Sequence, residues 1–267
     1  MVYVTSASLA AGAPARYNGG VPHAEIDNPI ACPHEVRLEV MRMWWRNLAF
    51  IHWPFEPAEV QAILPDGLTV DTWDGAAWIG VVPFEMDVRL PGGLPIPQQG
   101  RFPETNVRTY VRGPDGTPGV WFSSLEAGRL PATVVARTTY GLPYFWAAMS
   151  VTNAGPIWAY RSTRRWPGPR GAHHESAVRV GTALDEQTAF ERFLTARWGL
   201  FSTFAGRVLY APVWHEPWPL RRAELLHLDD ELLGAAGFRV PAVEPVVHWT
   251  AGVEVRIGRP RVAVRST

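Results

Sequence analysis

The chain has 267 residues, 47% hydrophobic and 19% charged, a composition that packs a core and does not stay disordered. Its 25 basic and 25 acidic residues cancel, which excludes a global field for nucleic acid or an anionic membrane surface. Every basic residue is Arg, so no side-chain amine exists for an imine, a phosphate loop or a covalently held cofactor, and Cys32, the single cysteine, excludes a disulfide and a cysteine-built zinc site.

Residues 1–33 are rich in Ala, Gly, Ser and Pro without periodicity, and read as a flexible N-terminal leader. The stretch from Met1 to Gly20 lacks a basic n-region and an apolar core, so it does not read as a signal peptide. No apolar run reaches the roughly 18 residues of a membrane span, and a cytoplasmic location is expected. Cys32 sits between Ala31 and Pro33 and is expected to be inert. The body is one domain over residues 34–267, with 13 Trp that suit a wide core or a cavity wall.

Within that body Leu48–Trp53 reads as a buried strand and Pro57–Leu64 as a short helix with Pro57 near its start. Leu68–Trp73 and Ala76–Phe84 read as strands joined at Asp74–Gly75, a hairpin signal. Residues 91–100 read as a loop. Thr105–Arg112 and Gly119–Glu126 form a second hairpin across Gly113–Pro114–Asp115–Gly116. Leu130–Tyr140 fits a helix with Pro131 near its start and Gly141 as its C-terminal cap. Strands follow near 147–152, 156–163 and 176–182. Phe190, Phe193, Leu194 and Trp198 recur at helical spacing and predict a helix over Thr188–Phe201. Arg207–Trp214 and Pro245–Ile257 read as late strands, with a short helix near 229–236. Short strands with scattered helices and no βαβ rhythm predict an antiparallel α+β fold.

Several blocks carry a resemblance. Leu64–Leu68, Asp71–Gly75, Trp78–Phe84, Phe102–Val111, Gly119–Glu126, Gly141–Tyr144, Thr195–Leu200 and Trp218–Leu220 together resemble the YqjF-like family of uncharacterised proteins. That family is similar in turn to the acetoacetate decarboxylase-like superfamily. The resemblance implies a cone-shaped antiparallel β-barrel with flanking helices, an interior pocket and a homo-oligomer as one option. In the superfamily a Schiff-base lysine pair follows a Gly-Phe-Pro stretch. Here Tyr140–Gly141–Leu142–Pro143 leads into Tyr144 and Phe145, so imine chemistry is out of reach while the pocket is kept.

The site residues expected are Arg108, Glu126 and Tyr144 as catalytic groups, with His52, Trp53, Glu85, Asn106 and Trp121 around a substrate. Arg108 either anchors a carboxylate or forms a salt bridge with Glu104 or Glu126. Glu126 either moves a proton or pairs with Arg129 or Arg108. Tyr144 either polarises a carbonyl or lines a wall. His52 reads equally as a hydrogen-bonded core residue, and Glu85 as a solvated one. Arg137 reads as part of a solvated helix face. His173–His174–Glu175 is placed in a loop, where three neighbours converge poorly on one metal ion. No phosphate loop, nucleophile elbow or dinucleotide fingerprint is present, so no cofactor is expected. The function expected is a small-molecule enzyme acting on a carbonyl or carboxylate compound, of lyase, isomerase, cyclase or hydratase type. The alternative is a non-catalytic binder of an apolar or aromatic metabolite.

Overall fold

The computed structural model describes residues 29–36, 38–89, 93–94 and 100–263. The first long element, β1 (Glu39–Phe55), is buried on both faces over its second half. Asn47, at φ +51°, interrupts its alternation there, and its pairing register shifts between Arg46 and Ile51. Helix α1 (Pro57–Gln61) starts at Pro57, whose missing N–H costs nothing at a first helical position. Short strands β2 (Thr69–Val70) and β3 (Thr72–Trp73) lead into β4 (Ala76–Arg89), and Asp74 and Gly75, both at positive φ, make the tight β3–β4 turn.

Next come β5 (Arg101–Arg112), β6 (Pro118–Ala127) and α2 (Leu130–Tyr140). Gly141 ends α2 at φ +63°, where an added Cβ would strike the Thr203 carbonyl oxygen. Then follow β7 (Tyr144–Ala154), β8 (Ile157–Trp166), β9 (His173–Ala183) and α3 (Ala189–Thr195). A capping box closes the start of α3: the Glu191 N–H donates to the Thr188 hydroxyl and the Thr188 N–H to the Glu191 carboxylate. The chain ends in β10 (Gly199–Phe204), β11 (Arg207–His215), β12 (Leu220–Asp230), α4 (Leu232–Ala235), β13 (Val246–Gly258) and β14 (Arg261–Val262).

All strands join one 14-stranded sheet. Beyond the linear path, β5 also pairs with β6 and β11 with β13, so the path returns on itself twice. Strands β13, β1, β4, β5 and β6 therefore form a common wall with two covered faces. One face carries Leu48, Phe50, Val82, Phe84 and Tyr110 against Phe193 and Leu194 of α3 and against Trp218. The other carries Ile51, Ile79, Val81 and Val107 against Tyr160, Val178 and the two leucines of α4.

Three expectations need correction. The sheet is mixed, because β6 runs parallel to both β7 and β10. The helix predicted over Thr188–Phe201 stops at Thr195, and Gly199–Phe204 is a strand. Arg197 ends it: its buried guanidinium takes the Phe193 carbonyl at 2.7 Å and Asp71 at 2.6 Å, binding the chain there to the turn before β3. Strand β12 was not foreseen, because bulges at Arg221/Ala223 and Leu225/His227 break its alternation. Most of the expected leader and of the loop at 91–100 lies outside the described residues. The part of the leader that is described touches the body, as Pro29 accepts from the Trp198 indole at 3.1 Å and Cys32 lies against Val213.

Candidate functional site

On β5 the residues Glu104, Asn106, Arg108 and Tyr110 are two apart, so their side chains leave the same face of the strand about 7 Å apart in succession. This is the α3-side face, and all four residues are buried. Buried polar groups normally find partners, so those that lack one carry information.

At one end of this line the Tyr144 hydroxyl, from the first residue of β7, donates to Glu104 Oε2 at 2.9 Å. Burial raises the Glu104 carboxyl to about 8; the Tyr144 bond pulls it down and the charge of Glu126 pushes it up. Burial and the neighbouring carboxyl hold the Tyr144 phenol well above its usual range. At neutral pH this end of the line is thus a carboxylic acid hydrogen-bonded to a phenol, both mostly protonated. Tyr144 is held from behind, since Arg137 of α2 donates to its carbonyl oxygen at 2.7 Å. Arg137 is therefore engaged with the strand and not simply solvated.

At the other end Arg108 Nη2 donates to the Leu194 carbonyl at 3.2 Å and, more weakly, to the Tyr110 hydroxyl at 3.4 Å. Its guanidinium lies 5.1 Å from the Phe50 ring centre. No carboxylate of the described residues pairs with it: Glu104 is bound to Tyr144, and Glu126 to Arg164. The Tyr110 hydroxyl donates to the Leu194 carbonyl at 2.6 Å, so its contact with His52 Nε2, also 2.6 Å, leaves the imidazole as donor. His52 Nδ1 then becomes an acceptor, and it has no partner. Burial, then the charges of Arg108 and His248, keep His52 well below its ordinary pKa, hence neutral. Gly80 is required beside it, since a Cβ there would sit 2.6 Å from His52 Nε2. His215, between the rings of Trp198 and Trp218, is pushed down to about 4 chiefly by burial, with a further contribution from Arg108. Asn106 Oδ1, midway along the line, and Arg108 Nε are also buried without partners.

The structure thus brings Tyr144, Arg108, Asn106 and His52 to one face and puts the other expected residues elsewhere. Leu125 is the register partner of Tyr144 and Glu126 that of Phe145, so strand alternation sends Glu126 to the opposite face. There Arg164 grips it through Nε at 3.2 Å to both oxygens and through Nη2 at 2.5 Å. Trp53 belongs to that opposite core as well. Glu85 is held by Asn47 at 2.7 Å and Arg101 at 2.9 Å, off the line. Trp121 packs in a third cluster with Leu68, Val111 and Phe201. Glu104 was missed as a site residue, although its two-residue spacing from Asn106 and Arg108 in one strand was a usable signal.

His173 and His174 open β9 and are not in a loop. Alternation separates them: His173 faces Asp229 and Glu231, and His174 lies between Asp230 and Ser176, 2.8 Å from each. Ser176–His174–Asp230 has the order of a hydrolytic triad, but Ser176 is only 3% exposed and the second Asp230 oxygen caps the Leu233 N–H. This array ties α4 to the sheet. Among the described residues no group of three His, Cys, Asp or Glu is placed to hold a metal ion.

A family model described as DUF2071, uncharacterized conserved protein, matches residues 42–254. The uncharacterized protein YqjF of Bacillus subtilis (strain 168) is 34% identical over 219 residues, 81% of this chain and 89% of that protein. Among solved structures, the enduracididine biosynthesis enzyme MppR complexed with pyruvate superposes with a TM-score of 0.63 at 16% identity, covering 86% of this chain and 93% of that one. Acetoacetate decarboxylase from Legionella pneumophila superposes with a TM-score of 0.60 at 14% identity, covering 92% and 98%. At such identities the two structures establish a shared fold, that of acetoacetate decarboxylase-like proteins.

Proposed function

We propose, from the premise that the chain belongs to the DUF2071 family of uncharacterized conserved proteins, that it is a small-molecule enzyme acting on a carbonyl compound that also bears a carboxylate. The site is the buried line Glu104–Asn106–Arg108 with Tyr144 and His52, inside a sheet that we read as barrel-like. One observation carries the proposal: Arg108 is buried with no carboxylate partner among the described residues, beside two unpartnered acceptors. An unpaired buried charge is costly, and a substrate carboxylate is the group that offsets it. A guanidinium offers that carboxylate a fork of donors, two of which suffice for bidentate binding.

A molecule anchored at Arg108 and lying along β5 reaches the other end of the line after about 13 Å, four residues of strand. The Asn106 side-chain amide is placed to hold a substrate hydroxyl or amide on the way. The carbonyl then meets the Tyr144 hydroxyl and the Glu104 carboxyl. Tyr144 donates a hydrogen bond to the oxygen as negative charge builds there. Glu104, poised near neutrality by burial, gives or takes the proton at oxygen or at the adjacent carbon. No amine takes part. Lyase, isomerase, cyclase and hydratase steps all use this inventory.

MppR is described as complexed with pyruvate, a 2-oxo acid, which supports oxo acids as the first compounds to test. The span of about 13 Å selects those whose carbonyl lies roughly ten bonds from the carboxylate bound at Arg108. The test is deuterium incorporation at the carbon next to the carbonyl of such long-chain oxo acids in heavy water, followed by NMR. The wild type is expected to accelerate exchange for at least one acid, and Glu104→Gln to lose it by about 100-fold or more. Equal exchange in the two proteins would contradict the proton-transfer role.

A second reading, a non-catalytic binder of an apolar or aromatic metabolite, draws on the aromatic wall of the same face. Trp45 stacks on Trp218 at 6.0 Å, and Phe50 meets Trp218 edge-on at 5.4 Å. Binding of apolar compounds that Arg108→Met leaves unchanged would favour it.

A further inference from the structure

The outer surface carries a second feature, away from the Glu104–Arg108 line. Leu130 and Val134, one turn apart on α2, form a groove of about 660 Å³ with Trp146 of β7 and Trp166 of β8. Leu130, Val134 and Trp166 are 40%, 41% and 43% exposed, so the floor is apolar surface left to solvent. Its rim holds Arg165 and Arg170. A second hollow of about 410 Å³ shares Trp146 and Arg165 and adds Arg129.

The charge at this place is one-sided. Among the described residues, no Asp or Glu lines either hollow. Arg164, which also reaches the groove, is consumed by Glu126. Arg129, Arg165 and Arg170 are engaged by no carboxylate of the described residues. In a chain of zero net charge, three such guanidiniums around one apolar floor are a local excess. Arg165 lies 5.2 Å from the Trp146 ring centre, within reach of a cation–π contact, and none of its N–H groups is taken by a carboxylate of the described residues. Single exposed apolar residues need no explanation, but a contiguous apolar floor rimmed by cations does.

We propose that this groove binds a small amphiphilic anion, with a flat aromatic or acyl body on the Trp146–Trp166 floor and an acidic head between Arg165 and Arg170. The apolar body supplies burial, and the planar guanidiniums recognise a carboxylate, sulfonate or phosphate head bidentately. The groove lies outside the sheet interior, so the proposal is independent of the reaction proposed for Glu104 and Tyr144.

The test uses anilinonaphthalene sulfonate as the anionic probe and phenylnaphthylamine as its uncharged counterpart, with binding measured by equilibrium dialysis on the full chain. The wild type is expected to bind the sulfonate at one saturable site and the neutral probe at least about tenfold more weakly, the factor equal to one modest ionic contact. The double variant Arg165→Glu, Arg170→Glu, at two exposed positions that form no ion pair among the described residues, is expected to keep its melting temperature and lose at least about tenfold in affinity. Arg108→Met is expected to bind the sulfonate as the wild type does. Unchanged affinity in the double variant would overturn the proposal, as would equal binding of the neutral probe, or a loss confined to Arg108→Met. Two further outcomes would also overturn it: sedimentation of the protein with anionic phosphatidylglycerol vesicles without binding of the free probe, which assigns the groove to a membrane surface, and self-association that hides the groove, which assigns it to a second copy.

Discussion

At the scale of single residues, Glu104 adds a contribution of its own to the pH dependence of stability. Its carboxyl is raised by burial to about 8 in the folded chain, against an ordinary value near 4.5 when unfolded. Between those values the folded state holds a proton that the unfolded state has released. Its contribution is complete below the unfolded value and is lost as pH rises toward the folded one, at most about 1.4 kcal/mol per pH unit. Buried His52 and His215, held below their ordinary values, act with the opposite sign in the acid half of this range, so the Glu104 contribution is read as a difference. In denaturant melts from pH 5 to 8, the stability of the wild type relative to Glu104→Gln should fall as pH rises. A difference that stays flat or grows over the same window would remove Glu104 from the account. Arg108 and Tyr144 were legible beforehand, one as a charge inside an apolar strand and one through the departure from a lysine-bearing stretch. Which carboxylate they share a face with was not legible. Glu104 and Glu126 both sit in apolar strands, and only the register of β6 against β7 sends the second away.

At the scale of elements, the strands that alternate cleanly and the turns with special backbone needs could be read directly. The β3–β4 turn at Asp74–Gly75, and α2 with its Gly141 cap, lie where the sequence puts them. Bulges hid β12, and an aromatic spacing shared by helix and strand extended α3 too far. The Glu126–Arg164 pair shows what such elements carry. It is buried on both sides, and β8 and β6 are not neighbours in the sheet path, since β7 lies between them. Removing one partner leaves a buried charge alone. Glu126→Ala should lower unfolding free energy by about 3–5 kcal/mol in urea melts, whereas Glu126→Gln, which still accepts a hydrogen bond from Arg164, should cost less. Because Glu126 is outside the proposed site, Glu126→Gln should retain the oxo-acid exchange that Glu104→Gln loses. Loss of exchange in both would place Glu126 in the chemistry after all.

At the scale of the whole molecule, the sheet returns on itself around a wall that has two buried faces. One face carries the Glu104–Arg108 line, and the other the buried Glu126–Arg164 pair and His174 held by Asp230. Composition settled one matter at this scale, since a chain without lysine makes no imine from a side chain whatever its fold. The double-sided wall was not legible, because a strand buried on both faces reads as a plain apolar run, and nothing in such a run says which residues share a side. The central claim is that Arg108 is an anion anchor inside this wall. It is tested most directly by thermal unfolding of the wild type and of Arg108→Met, a variant that keeps an unbranched apolar stem and removes the charge, against a panel of long-chain oxo acids. At about 100 times its dissociation constant, a binding acid should add roughly 2.7 kcal/mol to the wild type and nothing to the variant. Equal stabilisation of both proteins, or none of the wild type by any acid in the panel, would contradict it.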